Sequence, residues 1–226
     1  MKKFLFLYLI VFSPFFFAQN VVLNKVVKSI SNSDKMLYKI NPDLPAAEYL
    51  GEVEVQGFSD NDAEVFGMIY KKAKEIGANA FSYQPFEEVD GTFSKFDPIH
   101  YKLSLYYVPV SDFPKEENTV YFISSPYKKQ TISINNEKMV FEPRTYSVLK
   151  LAPGEIYTVS TRKLLGSSIK IAAQENQPVQ FFQLSGLSVN SNQNGSPGIN
   201  LKSGDIIRLE QSYAQFLTTI YQYFNN

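Results

Sequence analysis

The sequence predicts an α+β chain: a small β-α-β-β domain, then an all-β immunoglobulin-like sandwich, then a C-terminal segment that is helix or strand. Three observations predict it. A strand-like alternation over Tyr49–Val55 is followed by one amphipathic helical pattern over Phe66–Ile76. Seven short β-like runs separated by turn residues then fill Val120–Leu184. Aromatic residues reach 15 %, all Tyr and Phe, a composition that suits pleated, half-buried surfaces.

The N-terminus carries a targeting signal. Met1-Lys2-Lys3 is basic, Phe4 to Phe17 is apolar apart from Ser13 and Pro14, and Ala18 precedes Gln19-Asn20. A short apolar core behind a positive start, ending on a small residue, has the architecture of a secretory signal peptide, residues 1–18, cleaved near Ala18. As a helix the apolar run rises only about 21 Å, short of the roughly 30 Å of a bilayer core. No Cys follows it, which closes the lipoprotein route. The expectation is an exported protein, periplasmic or extracellular, with no transmembrane segment after signal removal.

Composition excludes several chemistries. The chain has no cysteine, so disulfides, thiol nucleophiles and cysteine-based zinc sites are ruled out. It carries 22 basic and 22 acidic residues, and 20 against 22 once Lys2 and Lys3 are removed, a net of −2. Nucleic-acid binding has no basic stripe to rest on. No cofactor motif, phosphate loop, nucleophile elbow or His-Glu metal pair occurs in the sequence.

Taken in order, residues 19–47 form a lead-in whose Val21–Val27 patch is an edge strand or a flexible approach, and Asn41-Pro42-Asp43-Leu44-Pro45 is a turn. Residues 48–110 form the β-α-β-β domain. Tyr49, Gly51, Val53 and Val55 share one strand face, with Glu52 and Glu54 on the other. Asn61 and Glu64 stand at capping-box spacing before the helix. Phe66, Ile69, Ala73 and Ile76 make its apolar stripe, and Gly77 stands where a left-handed terminator belongs. Phe81–Phe86 and Tyr101–Val108 read as strands, with Asp90-Gly91 as a turn. A polar, Pro-containing linker, residues 111–118, divides the chain. The sandwich follows over 119–187, a polar loop over 188–204 and an amphipathic segment over 205–226. In that last segment Ile206, Leu209, Tyr213, Phe216, Ile220 and Tyr223 recur at helical spacing, which favours helix, while the Tyr, Thr and Phe content leaves strand open over 213–224.

Two stretches carry resemblances. The order strand, amphipathic helix, then Lys74-Glu75-Ile76-Gly77-Ala78-Asn79-Ala80-Phe81 resembles the YbjQ-like family of β-α-β-β domains over residues 48–108. That family is sometimes labelled heavy-metal-binding. The label transfers poorly to a chain with His100 as its one histidine and no cysteine. Residues 119–184, with the Ile134-Asn135-Asn136-Glu137 hairpin and the Pro153-Gly154 turn, look like PEGA-type surface β-domains without the literal Pro-Glu-Gly-Ala motif. Neither likeness brings catalytic residues.

The candidate sites are few. Asp60, Asn61, Asp62 and Glu64 are the densest oxygen cluster and the metal candidate, although helix capping explains the same residues. Glu87, Glu88 and Asp90 could pair as catalytic carboxylates but border a turn, and His100 lacks a second imidazole. The apolar stripe Tyr213, Phe216, Leu217, Ile220 and Tyr223 either docks on the protein's own core or meets a partner, and it is the partner-binding candidate. The functional expectation is an exported, non-catalytic cell-envelope protein acting in protein binding or assembly with an envelope partner. A small-ligand or metal-binding envelope domain is the alternative, and a hydrolase with an unfamiliar site the third.

Overall fold

The first sheet is built from more of the chain than its β-α-β-β pattern announces. The computed structural model describes residues 20–57, 59–161, 166–184, 189–191, 199–201 and 206–224, so the signal peptide expected over residues 1–18 and parts of the expected polar loop lie outside the described residues. Strands β1 (Asn20–Val26), β2 (Tyr38–Lys39), β3 (Glu48–Gln56), β4 (Ala80–Gln84) and β5 (His100–Tyr107) form one sheet in the order β1-β3-β5-β4-β2. The lead-in therefore supplies both edge strands. β1 pairs antiparallel with β3, with a bulge between Leu23 and Lys25, and β2 runs parallel to β4. A bulge and an outward lysine blunt an edge that would otherwise template further strands.

Helix α1 (Asp62–Glu75) covers one face of this sheet. Its start follows the capping box: the Asn61 side chain accepts from the Glu64 backbone N–H at 3.3 Å and its amide donates back to the Glu64 carboxylate at 3.3 Å. Val65, Ile69, Ala73 and Ile76 form its buried face against Val53, Val55, Phe81, Leu103 and Leu105. Phe66 sits at the flank of that face, packed on Tyr70, Tyr213 and Phe216. Glu52 and Glu54 point to the other face of the sheet, as the alternation requires, beside Lys102 and His100.

The corner after α1 is held by two residues. Gly77 has φ +82°, and a Cβ placed there would lie 2.1 Å from the Ile30 carbonyl oxygen. Asn79, fully buried, accepts from the Val108 N–H and donates to the Val108 carbonyl, each at 2.8 Å, and donates to Asp34 at 2.8 Å. Asp34 also receives Lys74 at 3.1 Å. Burial raises its pKa, but hydrogen bonds from Asn79, Asn32 and Lys74 outweigh that and hold it below the ordinary carboxylate value. Gly77→Ala is expected to cost at least about 1–3 kcal/mol through the left-handed backbone alone. The clash with Ile30 adds to that. A melting curve checks it, and an unchanged melting temperature would mean the corner can shift.

The second half contains the seven expected strands: β6 (Thr119–Ile123), β7 (Gln130–Ile134), β8 (Glu137–Phe141), β9 (Thr145–Lys150), β10 (Ile156–Thr161), β11 (Ser168–Ala172) and β12 (Gln180–Leu184). The polar loop contains a short hairpin of β13 (Val189–Ser191) with β14 (Ile199–Leu201), which turn composition alone did not suggest. After it come β15 (Ile206–Arg208), helix α2 (Gln211–Ile220) and β16 (Gln222–Tyr223). Apart from the β13–β14 hairpin, these strands make two further sheets, β11-β10-β7-β8 and β15-β12-β6-β9-β16. Both sheets contribute to one core, Val120, Phe122 and Leu184 from one and Ile132, Val159 and Ile171 from the other. Two pairings, β12 with β6 and β16 with β9, are parallel.

Strand β6 explains how the halves join. Val120 and Phe122 face the core shared by the two later sheets, while Tyr121 and Ile123 face the other way, into the core that contains α1 and the first sheet. β12 does the same with Phe182 and Leu184 against Phe181. A strand apolar on both faces must be covered on both. The second cover is α2, whose Ala214, Phe216, Leu217 and Ile220 belong to the first unit's core. The 111–118 segment is thus a boundary in the chain and not in the packing.

Candidate functional site

Helix α2 decides the fate of the C-terminal stripe. It begins where the Glu210 carboxylate accepts the N–H groups of Ser212 at 2.9 Å and Tyr213 at 3.0 Å. It ends at Ile220, and Tyr221 turns extended. The expectation of a partner surface on Phe216, Leu217 and Ile220 is corrected: all three are buried, Phe216 and Leu217 completely. They fill the gap between sheets that neither half closes alone. Tyr213 is half-buried against Phe66, and Tyr223 is exposed in β16 with its ring on Tyr146. Leu209 and Ile206 continue the helical spacing by coincidence, since they lie before the helix. The polar side of α2 also closes the β2 edge: Ser212 accepts from the Leu37 N–H at 3.2 Å and Gln215 from the Lys39 N–H at 2.9 Å.

The proposed cation cluster is divided among other tasks. Asn61 caps α1 and Glu64 bonds back to it. Asp62 turns inward. Its carboxylate pairs with Arg144 Nη1 at 3.1 Å and accepts the Tyr221 hydroxyl at 2.7 Å. The Asp60 contribution is a backbone one, its carbonyl accepting from the Tyr127 hydroxyl at 2.9 Å. Among the described residues no group of three or more His, Cys, Asp or Glu is placed to hold a metal ion. Arg144 reaches Asp62 from the β8–β9 turn, where its φ is +57°, and its guanidinium lies 5.6 Å from the Tyr221 ring centre. The junction is therefore a largely inward-facing polar latch between the start of α1, the β8–β9 turn and the residue that ends α2. Burial and the Asp62 charge push the phenols of Tyr221 and Tyr101 far up, and that of Tyr213 up to about 12.

The remaining acidic and histidine candidates lie apart. His100 pairs with Glu54 at 2.7 Å and packs on the Phe86 ring at 4.4 Å, on the face of the first sheet away from α1. The hydrogen bond from His100 lowers the Glu54 pKa most. Glu87 and Glu88 are both exposed in the β4–β5 loop, and Asp90 accepts the Thr92 N–H and hydroxyl at 3.0 and 2.7 Å in a turn.

What sequence reading missed is a cleft of about 490 Å³ where the connector crosses the molecule. Its walls come from four places: Met36 and Tyr38 at β2, Val110 and Phe113 to Glu117 on the connector, Pro178 and Val179 before β12, and Gln211 at the start of α2. The Tyr38 and Phe113 rings meet edge to face at 5.4 Å. The connector is pinned in place: the Val179 N–H donates to the Glu116 carbonyl at 2.9 Å, and the Asn118 N–H to the Gln177 carbonyl at 2.9 Å. The Tyr121 hydroxyl reaches both oxygens of the Glu116 carboxylate, at 3.1 and 3.2 Å. Burial first, then the charges of Glu210 and Asp34, raise the Tyr38 phenol. The sequence trace of this cleft was the apolar Phe113 within an otherwise polar linker, with Val110 just before it. Among the described residues no helix is long and apolar enough to cross a membrane. The chain matches no protein-family model, no curated protein and no solved structure.

Proposed function

We propose that the mature chain is an exported, non-catalytic protein of the cell envelope that works by holding another envelope protein. The cleft beneath the connector is the place where it does so. The observation that carries the reading is the cleft itself: about 490 Å³, lined by apolar and aromatic side chains together with polar ones, its connector tied by backbone hydrogen bonds to the segment before β12. Val110, just before the connector, lines the cleft and is 64 % exposed. The basic start and short apolar core of the N-terminus support export. We read the two later sheets as an immunoglobulin-like sandwich of the PEGA-type kind and the first unit as YbjQ-like, scaffolds that present a surface rather than a reaction centre.

The test is photo-crosslinking in the producing cells. A photoreactive residue at position 110 is expected to give a discrete adduct, and one at the fully exposed position 89 in the β4–β5 loop is expected to give none. Adducts of equal yield at both positions, or none at 110, overturn the assignment. A small-ligand site is the second reading, favoured by the volume, which lies within the range of small-molecule pockets. In that case ligand raises the melting temperature of the purified protein and position 110 gives no protein adduct.

A further inference from the structure

We propose that the connector cleft accepts a cationic group on an apolar stem, namely a lysine or arginine side chain of the protein partner. The inference rests on the reading of the cleft as the partner site. Tyr38 and Phe113, packed edge to face, both line the cleft, and aromatic ring faces attract cations through their quadrupole. Met36 and Val110 offer apolar surface to the stem. Two carboxylates, Glu116 and Glu117, line the same cleft against one cation, Lys115, which is exposed on the connector. The Glu116 carboxylate is oriented by the Tyr121 hydroxyl at 3.1 and 3.2 Å, so its position is set before any ligand arrives. Beyond the wall, the charges of Glu210 and Asp34 act on the Tyr38 hydroxyl in the same negative sense. Lys74 offsets part of the Asp34 charge, at 3.1 Å. An anionic ligand would meet these carboxylates, and a neutral apolar one would strip water from them without replacing it. A guanidinium or ammonium with a methylene stem satisfies both halves of the lining.

The test is a nuclear magnetic resonance titration of the purified mature chain with N-acetyl-arginine amide and N-acetyl-norleucine amide, which share a stem and differ in charge. The arginine compound is expected to shift the Tyr38, Phe113 and Glu116 amide signals saturably, at least about tenfold more tightly than the norleucine compound. Its binding should weaken with added salt. Glu117→Gln, at an exposed position, should weaken it about threefold or more with an unchanged melting temperature. Glu116→Gln repeats the test at the oriented carboxylate. Equal affinity for both compounds, or no loss in either variant, overturns the proposal. If position 110 still crosslinks in cells in that case, the partner reading stands without the basic group. If arginine binds but position 110 gives no adduct, the protein source is overturned.

Discussion

Asp62→Ala is expected to destabilise the protein by about 3–5 kcal/mol, the range found when one member of a buried pair is removed. Asp62 is 6 % exposed and accepts from both Arg144, at 3.1 Å, and the Tyr221 hydroxyl, at 2.7 Å. Its removal leaves a half-buried guanidinium and a buried hydroxyl without their acceptor. It also removes a negative charge from the first turn of α1, where the helix N-terminus favours one. Urea unfolding should show a lower midpoint at unchanged slope. Arg144→Met added to Asp62→Ala should recover much of the loss, because the uncompensated charge goes with it. A cost for Asp62→Ala below about 1 kcal/mol would place the pair with solvent-screened surface bridges.

Phe216→Ala carries the second large effect, about 3–5 kcal/mol, as a large-to-small change at a fully buried ring. The ring packs on Phe66 at 5.5 Å and, through α2, bears on the first sheet and on β6 and β12 together. The loss should appear as unfolding of the whole chain in a single transition, since the two units share this core. Tyr223→Ala, at a 55 % exposed position, should cost about 1 kcal/mol or less. A Phe216→Ala protein that melts normally would restore the C-terminal stripe as a candidate partner surface.

Local pattern made much of the fold legible. The alternation of Val53 and Val55 with Glu52 and Glu54, the capping box at Asn61 and Glu64, and Gly77 as terminator each act within a few residues, so their spacing alone specifies them. The seven strands of the second half were legible for the same reason, each bounded by its own turn residues. β2 was not, because a two-residue strand has no period; it exists because Leu37 and Ile40 are buried and α2 supplies acceptors to its free N–H groups. The cleft was not legible either, since its walls come from four segments between Met36 and Gln211.

The sequence by itself determined the long, periodic elements and the chemistries that a cysteine-free, evenly charged chain cannot support. Only the tertiary structure decided what the apolar and acidic residues are for. Periodicity shows that Phe216 and Ile220 share a helix face but cannot say whether that face meets the protein or a partner. Spacing shows that Asp62 can serve a helix start but cannot reveal Arg144, which lies 82 residues further along the chain and meets it at 3.1 Å. Burial and ion pairing depend on distances across the folded chain, and those distances leave no period in the sequence.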